Sequence, residues 1–120
     1  MTRRGHATGD LALRHVAILL RGHCRAGEPV FRFGGEEFLA LLQAADCEAA
    51  QQAVERILQA LRDNPLRVPD GHALSLRASA GMAEVGIAEP MADAVVRADQ
   101  ALYAAKAAGR DTWRWAAAAR

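Results

Sequence analysis

The chain has 120 residues, enough for one domain and too few for two. Apolar residues make up 52% of it, many of them alanine, so a helix-rich, close-packed core is expected, and a formal net charge of +1 offers no electrostatic case for nucleic acid or an anionic membrane. No run is long and apolar enough to span a bilayer, no leader pattern is present, and Cys24 and Cys47 lack the spacing of a zinc site or redox pair, so a cytoplasmic location with free thiols is expected.

The first predicted element is a helix from Asp10 to about Arg21, with Leu13, Val16, Ala17 and Leu20 on one stripe and Asp10 as its N-cap or first-turn acid. Residues 30–33 read as a strand and 38–42 as a second one, apolar on both faces and so expected to be covered on both. Gly34 and Gly35 between them signal a hairpin turn. Asp46 opens a second helix with Ala50, Ala53, Val54, Ile57 and Leu61 as its stripe, and Asn64-Pro65 ends it. A loop or irregular edge, NPLRVPDG, precedes an alternating strand over 74–83. The third helix spans about 91–107 on a stripe of Met91, Val95, Ala98, Leu102 and Ala105, with Gly109 as C-terminal cap and DTWRW as a last short strand. The expected order is α-β-β-α-β-α-β, ending in a helical or frayed AAAAR tail, with no repeat and no linker dividing the chain. His15, His23 and His72 read as surface or packing residues.

Two clusters can carry chemistry. The first is RFGGEEF, residues 32–38: a hairpin tip without side chains lets phosphate approach backbone N–H groups, and adjacent Glu36 and Glu37 offer the oxygen ligands Mg²⁺ prefers. An ordinary hairpin with a solvated acidic tip accounts for the same letters. The second pair is Lys106 and Arg110, four apart and expected to share the face of the third helix. They suit a triphosphate, or simple compensation of the helix dipole.

These stretches fall in a recognisable order. RFGGEEF resembles the signature of the GGDEF family, the diguanylate cyclase domain, in a GGEEF spelling. GHATGD, residues 5–10, resembles its GHxxGD element. LRASAGMA, residues 76–83, resembles its hTxSxGhA strand, with Arg77 where threonine is usual. RADQALYAAKAAGRD, residues 97–111, resembles its RAD-xx-LYxAKxxGRN element. The resemblance implies an α/β (α+β) chain of the ferredoxin-like, nucleotidyl-cyclase type, and a signalling transferase that joins two GTP into cyclic di-GMP with loss of two pyrophosphates. It also implies a homodimer with one GTP per domain and two Mg²⁺ per active site.

Residue by residue, the resemblance implies that Gly34 and Gly35 admit the phosphates, that Glu36 is a metal ligand and that Glu37 supports it. It implies that Asp10 accepts from the guanine edge and that Lys106 and Arg110 meet the terminal phosphates. An inhibitory cyclic di-GMP site of RxxD form corresponds to RAGE, with Arg25, Glu28 in place of aspartate, and Arg56 as a secondary arginine. The family pattern also includes an earlier strand with a metal-binding aspartate and an FKxxND element whose asparagine would fall at Met1. The chain therefore reads as a single partial domain lacking the first strand and helix, with little or no cyclase activity expected. The competing reading is a degenerate module that binds cyclic di-GMP or GTP.

Overall fold

The computed structural model describes residues 3–117, with side chains from Thr8 onward. Nine elements follow one another: α1 (Arg3–Gly22), β1 (Val30–Gly34), β2 (Glu37–Ala40), α2 (Cys47–Asp63), β3 (Leu66–Arg67), β4 (Ala73–Leu74), β5 (Ala80–Met82), α3 (Met91–Ala107) and β6 (Trp113–Trp115). They fall into two compact units, Met1–Leu76 and Arg77–Arg120. The strand expected over 74–83 is therefore interrupted: β4 and β5 lie in different units and residues 75–79 pair with nothing in a ladder. The stretch NPLRVPDG, expected as a loop or irregular edge, holds the first strand and the turn of a small two-stranded hairpin, with Leu66 opposite Leu74 and Arg67 opposite Ala73.

In the first unit, α1 starts seven residues before Asp10, so that residue lies inside the helix and caps nothing. Gly9 costs about 1 kcal/mol in a helix interior, but no proline interrupts the run, and the helix continues through it. The expected stripe of Leu13, Val16, Ala17 and Leu20 is half-buried throughout. The second helix behaves as read: Asp46 caps it, accepting from the Ala49 N–H at 2.8 Å. Such a cap is worth about 1 kcal/mol. Its inner face buries Ala50, Val54, Ile57, Leu58 and Leu61, which with Leu66 form the core of this unit. His15 on α1 reaches the carbonyl of Asn64 just past α2, at 2.7 Å, tying the two helices.

The hairpin β1–β2 is antiparallel, with Val30 opposite Ala40, Phe31 opposite Leu39 and Arg32 opposite Phe38. The Leu41 N–H adds a bond to the Pro29 carbonyl at 3.0 Å. Full covering of both faces of β2 does not hold: all four of its residues are half-buried, and Phe31 and Phe33 across the ladder are about half exposed, at 50% and 53%. A two-stranded ribbon has an open edge and too little area to bury its side chains on two sides.

The second unit is a βαβ arrangement. Strands β5 and β6 run parallel, Ala80 beside Trp113 and Met82 beside Trp115, with α3 as the crossover. Gly81 makes the packing possible: a Cβ there would run into the Ala98 carbonyl oxygen and the Leu102 backbone nitrogen of α3. The facing helix residues are correspondingly small. Ala94, Ala101 and Ala105 are buried, while Met91, first of the expected stripe, is 46% exposed. Of the expected stripe Ala105 is fully buried and Val95, Ala98 and Leu102 are half-buried, and the face extends to Ala94 and Ala101 because close approach to a glycine strand selects alanines over long side chains. Arg97 fastens the unit: its guanidinium grips Glu89 in two hydrogen bonds, at 2.9 and 2.7 Å, and donates to the carbonyls of Glu84 and Ala117. Beyond Ala117 the expected tail lies outside the described residues.

Candidate active site

The glycine-glutamate stretch forms the tip of the β1–β2 hairpin, displaced by one residue from the expected turn. Gly34 is the last residue of β1 and pairs with Glu37, so the two-residue tip is Gly35-Glu36. Only Gly35 takes a positive φ, 31°. Glycine at the first central position is what such a turn asks for. A bulge at Phe33, where the register shifts between Arg32 and Gly34, re-aims the strand end just before the tip. Arg32 then reaches over the tip: its Nε and Nη2 both donate to the Gly35 carbonyl, at 3.1 and 2.7 Å. Sequence reasoning assigned Arg32 no role, although an arginine three residues before a turn glycine is at the right reach for that bond.

This arrangement brings Gly34, Gly35, Glu36 and Glu37 together. Glu36 is exposed at the tip and Glu37 is half-buried in the strand. Glu36 and Glu37 supply hard oxygen donors, and Mg²⁺ is commonly held by one or two carboxylates together with substrate phosphates and water. Among the described residues no group of three or more His, Cys, Asp or Glu side chains is placed to hold a metal ion. The hairpin therefore fits a Mg²⁺ that arrives on a nucleotide and does not fit a metal caged by protein alone. Asp10 stands exposed on α1 and Arg56 exposed on α2.

The RAGE stretch is a tight turn in the same unit. The Glu28 N–H bonds the Arg25 carbonyl at 3.0 Å, and Gly27 supplies the positive φ, 86°. Both carboxylate oxygens of Glu28 are engaged: Oε1 accepts from the Arg25 N–H at 2.6 Å and Oε2 from the Gln43 N–H at 2.7 Å. Those two backbone donors, first Arg25 and then Gln43, hold the Glu28 carboxyl below the ordinary glutamate range. Glu28 braces the loop before β1 against the chain after β2, while the Arg25 side chain is left exposed.

Lys106 and Arg110 do not share a helix face. Helix α3 stops at Ala107, and the chain turns through a Schellman corner: the Gly109 N–H bonds the Lys106 carbonyl and the Arg110 N–H the Ala105 carbonyl, at 3.3 and 3.1 Å. Gly109 takes φ 115°, as expected of a residue just past the cap, and Arg110 and Asp111 follow it into the left-handed region at 64° and 51°. Lys106 and Arg110 are both exposed, one on the last turn and one on the corner. The sequence signal that Arg110 lies off the helix was the glycine itself, which ends the periodicity on which a four-residue spacing depends.

Comparison with known proteins adds what geometry alone does not. The family model of the diguanylate cyclase GGDEF domain matches residues 2–112. The chain belongs to the GGDEF family. It is 43% identical over 107 residues to diguanylate cyclase DgcP of Pseudomonas aeruginosa, a match that covers 89% of this chain and 16% of that protein. Among solved structures it is similar to the GGDEF domain of TpbB (YfiN) of the same species, with a TM-score of 0.88 and 34% identity over 96% of this chain and 67% of that one. It is also similar to the coiled coil and GGDEF domain of DgcB from Caulobacter crescentus in complex with c-di-GMP, with a TM-score of 0.83 and 29% identity over 93% of this chain and 60% of that one. The mixed α/β architecture is thus that of a GGDEF domain, and this chain spans about a sixth of the length of DgcP. No helix among the described residues is long and apolar enough to cross a membrane.

Proposed function

We propose that this GGDEF chain carries the nucleotide-handling residues of a cytoplasmic diguanylate cyclase. The observation that carries the proposal is the RFGGEEF hairpin, whose Gly35-Glu36 tip is braced by Arg32 and carries two adjacent carboxylates. In the proposed reaction the 3′-oxygen of one GTP attacks the α-phosphorus of the other. A P–O bond forms, the bond to pyrophosphate breaks, and the hydroxyl proton is released. A second such step in the opposite sense closes cyclic di-GMP and releases the second pyrophosphate. Two protein copies would each present one GTP, since the chemistry is mainly positioning and charge stabilisation.

In this reading the bare backbone at Gly34 and Gly35 admits the phosphates, and Glu36, supported by Glu37, holds Mg²⁺ that neutralises phosphate charge. Asp10 accepts two N–H donors from the guanine edge, which adenine does not offer. Lys106 and Arg110 receive the terminal phosphates as exposed cations. Cyclic di-GMP returns as an inhibitor at Arg25, with Arg56 as a second contact. Glu28 belongs to that site as well: each of its oxygens accepts one backbone N–H, which fixes the carboxylate and leaves it acceptor capacity for the ligand. Among the described residues no third metal-ligating side chain joins the hairpin carboxylates, and slow turnover is part of this proposal.

One set of experiments tests the reading. In calorimetry, GTP should bind more tightly with Mg²⁺ than with EDTA, ATP should bind more weakly than GTP, and Glu36→Gln should remove most of the Mg²⁺-dependent gain. Equal binding of ATP and GTP, or no effect of Mg²⁺, would overturn it. In a chromatographic assay for product, cyclic di-GMP should form slowly, and Arg25→Ala should lessen product inhibition. Rapid turnover would overturn the metal-ligand argument, and unchanged inhibition would remove the Arg25 site.

A further inference from the structure

Arg110 is placed by an unusual piece of backbone. Two consecutive non-glycine residues, Arg110 and Asp111, hold left-handed φ values of 64° and 51°. Isolated left-handed residues are ordinary only for glycine, with asparagine and aspartate next, so a pair needs support from outside the turn. The support comes from the segment leading into β5. The Asp111 N–H donates to the Ser79 hydroxyl at 3.2 Å, and Arg77 Nη1 donates to the Asp111 carboxylate at 2.8 Å. Asp111 is mostly covered, its side chain 20% exposed, whereas Arg77 is 62% exposed.

The charge of Asp111 raises a second point. It stands next in sequence to a cation read as a phosphate contact, and a bare carboxylate there would oppose an incoming triphosphate. Arg77 neutralises it. Arg77 and Asp111 lie 34 residues apart in the chain, and the structure brings them into contact. A threonine–asparagine pair would leave the same corner uncharged. In this chain the Arg77 guanidinium supplies charge compensation to the Asp111 carboxylate.

We propose that Arg77 is a positioning residue for nucleotide binding: acting through Asp111, it holds and neutralises the left-handed corner from which Arg110 reaches the terminal phosphates of GTP. The proposal rests on the reading of Arg110 as a phosphate contact, and the test separates the two. Calorimetry with GTP and with GMP, both with Mg²⁺, is run on the wild type, Arg77→Thr, Asp111→Asn and the double variant, with thermal melts as a check on folding. Asparagine tolerates the left-handed region as aspartate does, so Asp111→Asn changes charge without changing backbone preference.

Arg77→Thr should weaken GTP binding about fivefold, the scale of a partly exposed ion pair, and leave GMP unchanged. The double variant should return to within about twofold of the wild type, the coupling expected of residues in direct contact. Asp111→Asn alone should bind GTP better than Arg77→Thr does. A wild type that binds GTP no better than GMP overturns the phosphate reading of Arg110 and this proposal with it. If the wild type does prefer GTP, this proposal alone is overturned by any of three results: full GTP affinity in Arg77→Thr, an equal loss for GMP, or a double variant as weak as Arg77→Thr.

Discussion

Glu89 shows how much one side chain can do where, among the described residues, no polar or charged residue is fully buried. It is fixed by Arg97 in two hydrogen bonds and accepts a third from the Gly86 N–H at 2.9 Å. The Arg97 hydrogen bonds first, then the backbone bond, hold its carboxyl at about 2. The folded state thus prefers the ionised form more strongly than the unfolded chain does, whose glutamate titrates near 4.5. A depressed carboxyl pKa contributes stability that is fully present above about 4.5 and is lost as the pH falls from there towards 2. Glu89→Gln should therefore flatten the fall in melting temperature across that window. An acid-induced fall as steep as that of the wild type would exclude Glu89 as its source. Nothing in the letters announced this contact, since Glu89 precedes α3 and Arg97 lies eight residues on, beyond the three- or four-residue reach of a helical pair.

At the scale of elements, helix ends were legible where the chemistry is local. Asp46 as cap, Asn64-Pro65 as stop and Gly109 after α3 all act through bonds spanning a few residues, and each stands where its residue type predicts. Faces were less legible. The residues of α3 that bury were set by the strand it meets, and that strand carries Gly81. Gly81→Ala forces a methyl group against the backbone of Ala98 and Leu102, where no rotamer change relieves it. We expect a loss of at least about 1–3 kcal/mol, the usual cost of overpacking, read from urea melts of the second unit's signal. A melt within about 0.5 kcal/mol of the wild type, the range of neutral surface changes, would mean that β5 and α3 separate at little cost. The strand expected over 74–83 failed for a related reason. Alternation is a property of an extended chain, but a strand needs partners, and residues 75–79 have none in a ladder.

For the whole molecule, the proposed reaction carries its own stoichiometric demand. Each product needs two nucleotides that face each other, so whatever turnover this chain supports should rise per protomer with protein concentration at saturating GTP. A specific rate independent of concentration from the nanomolar to the micromolar range would require either a permanent dimer or one copy doing both steps. Sedimentation at the same concentrations tells these apart, and a monomer with constant specific rate would overturn the two-copy mechanism.

The sequence by itself determined the family, the three helices and the β1–β2 hairpin, and it proposed the residues that would meet a nucleotide. These rest on short-range chemistry: a turn that needs glycine, a cap that needs aspartate, carboxylates adjacent at a tip. Only the tertiary structure decided how those residues are presented. It moved the hairpin tip onto Glu36, put Asp10 inside a helix and turned Arg110 off the end of another. It also tied Glu28 to Gln43 and Arg77 to Asp111, partners that spacing cannot foresee. The physical reason is range. Local preferences are written in neighbouring letters, whereas a carboxylate's partner 15 or 34 residues away is chosen by the path of the whole chain.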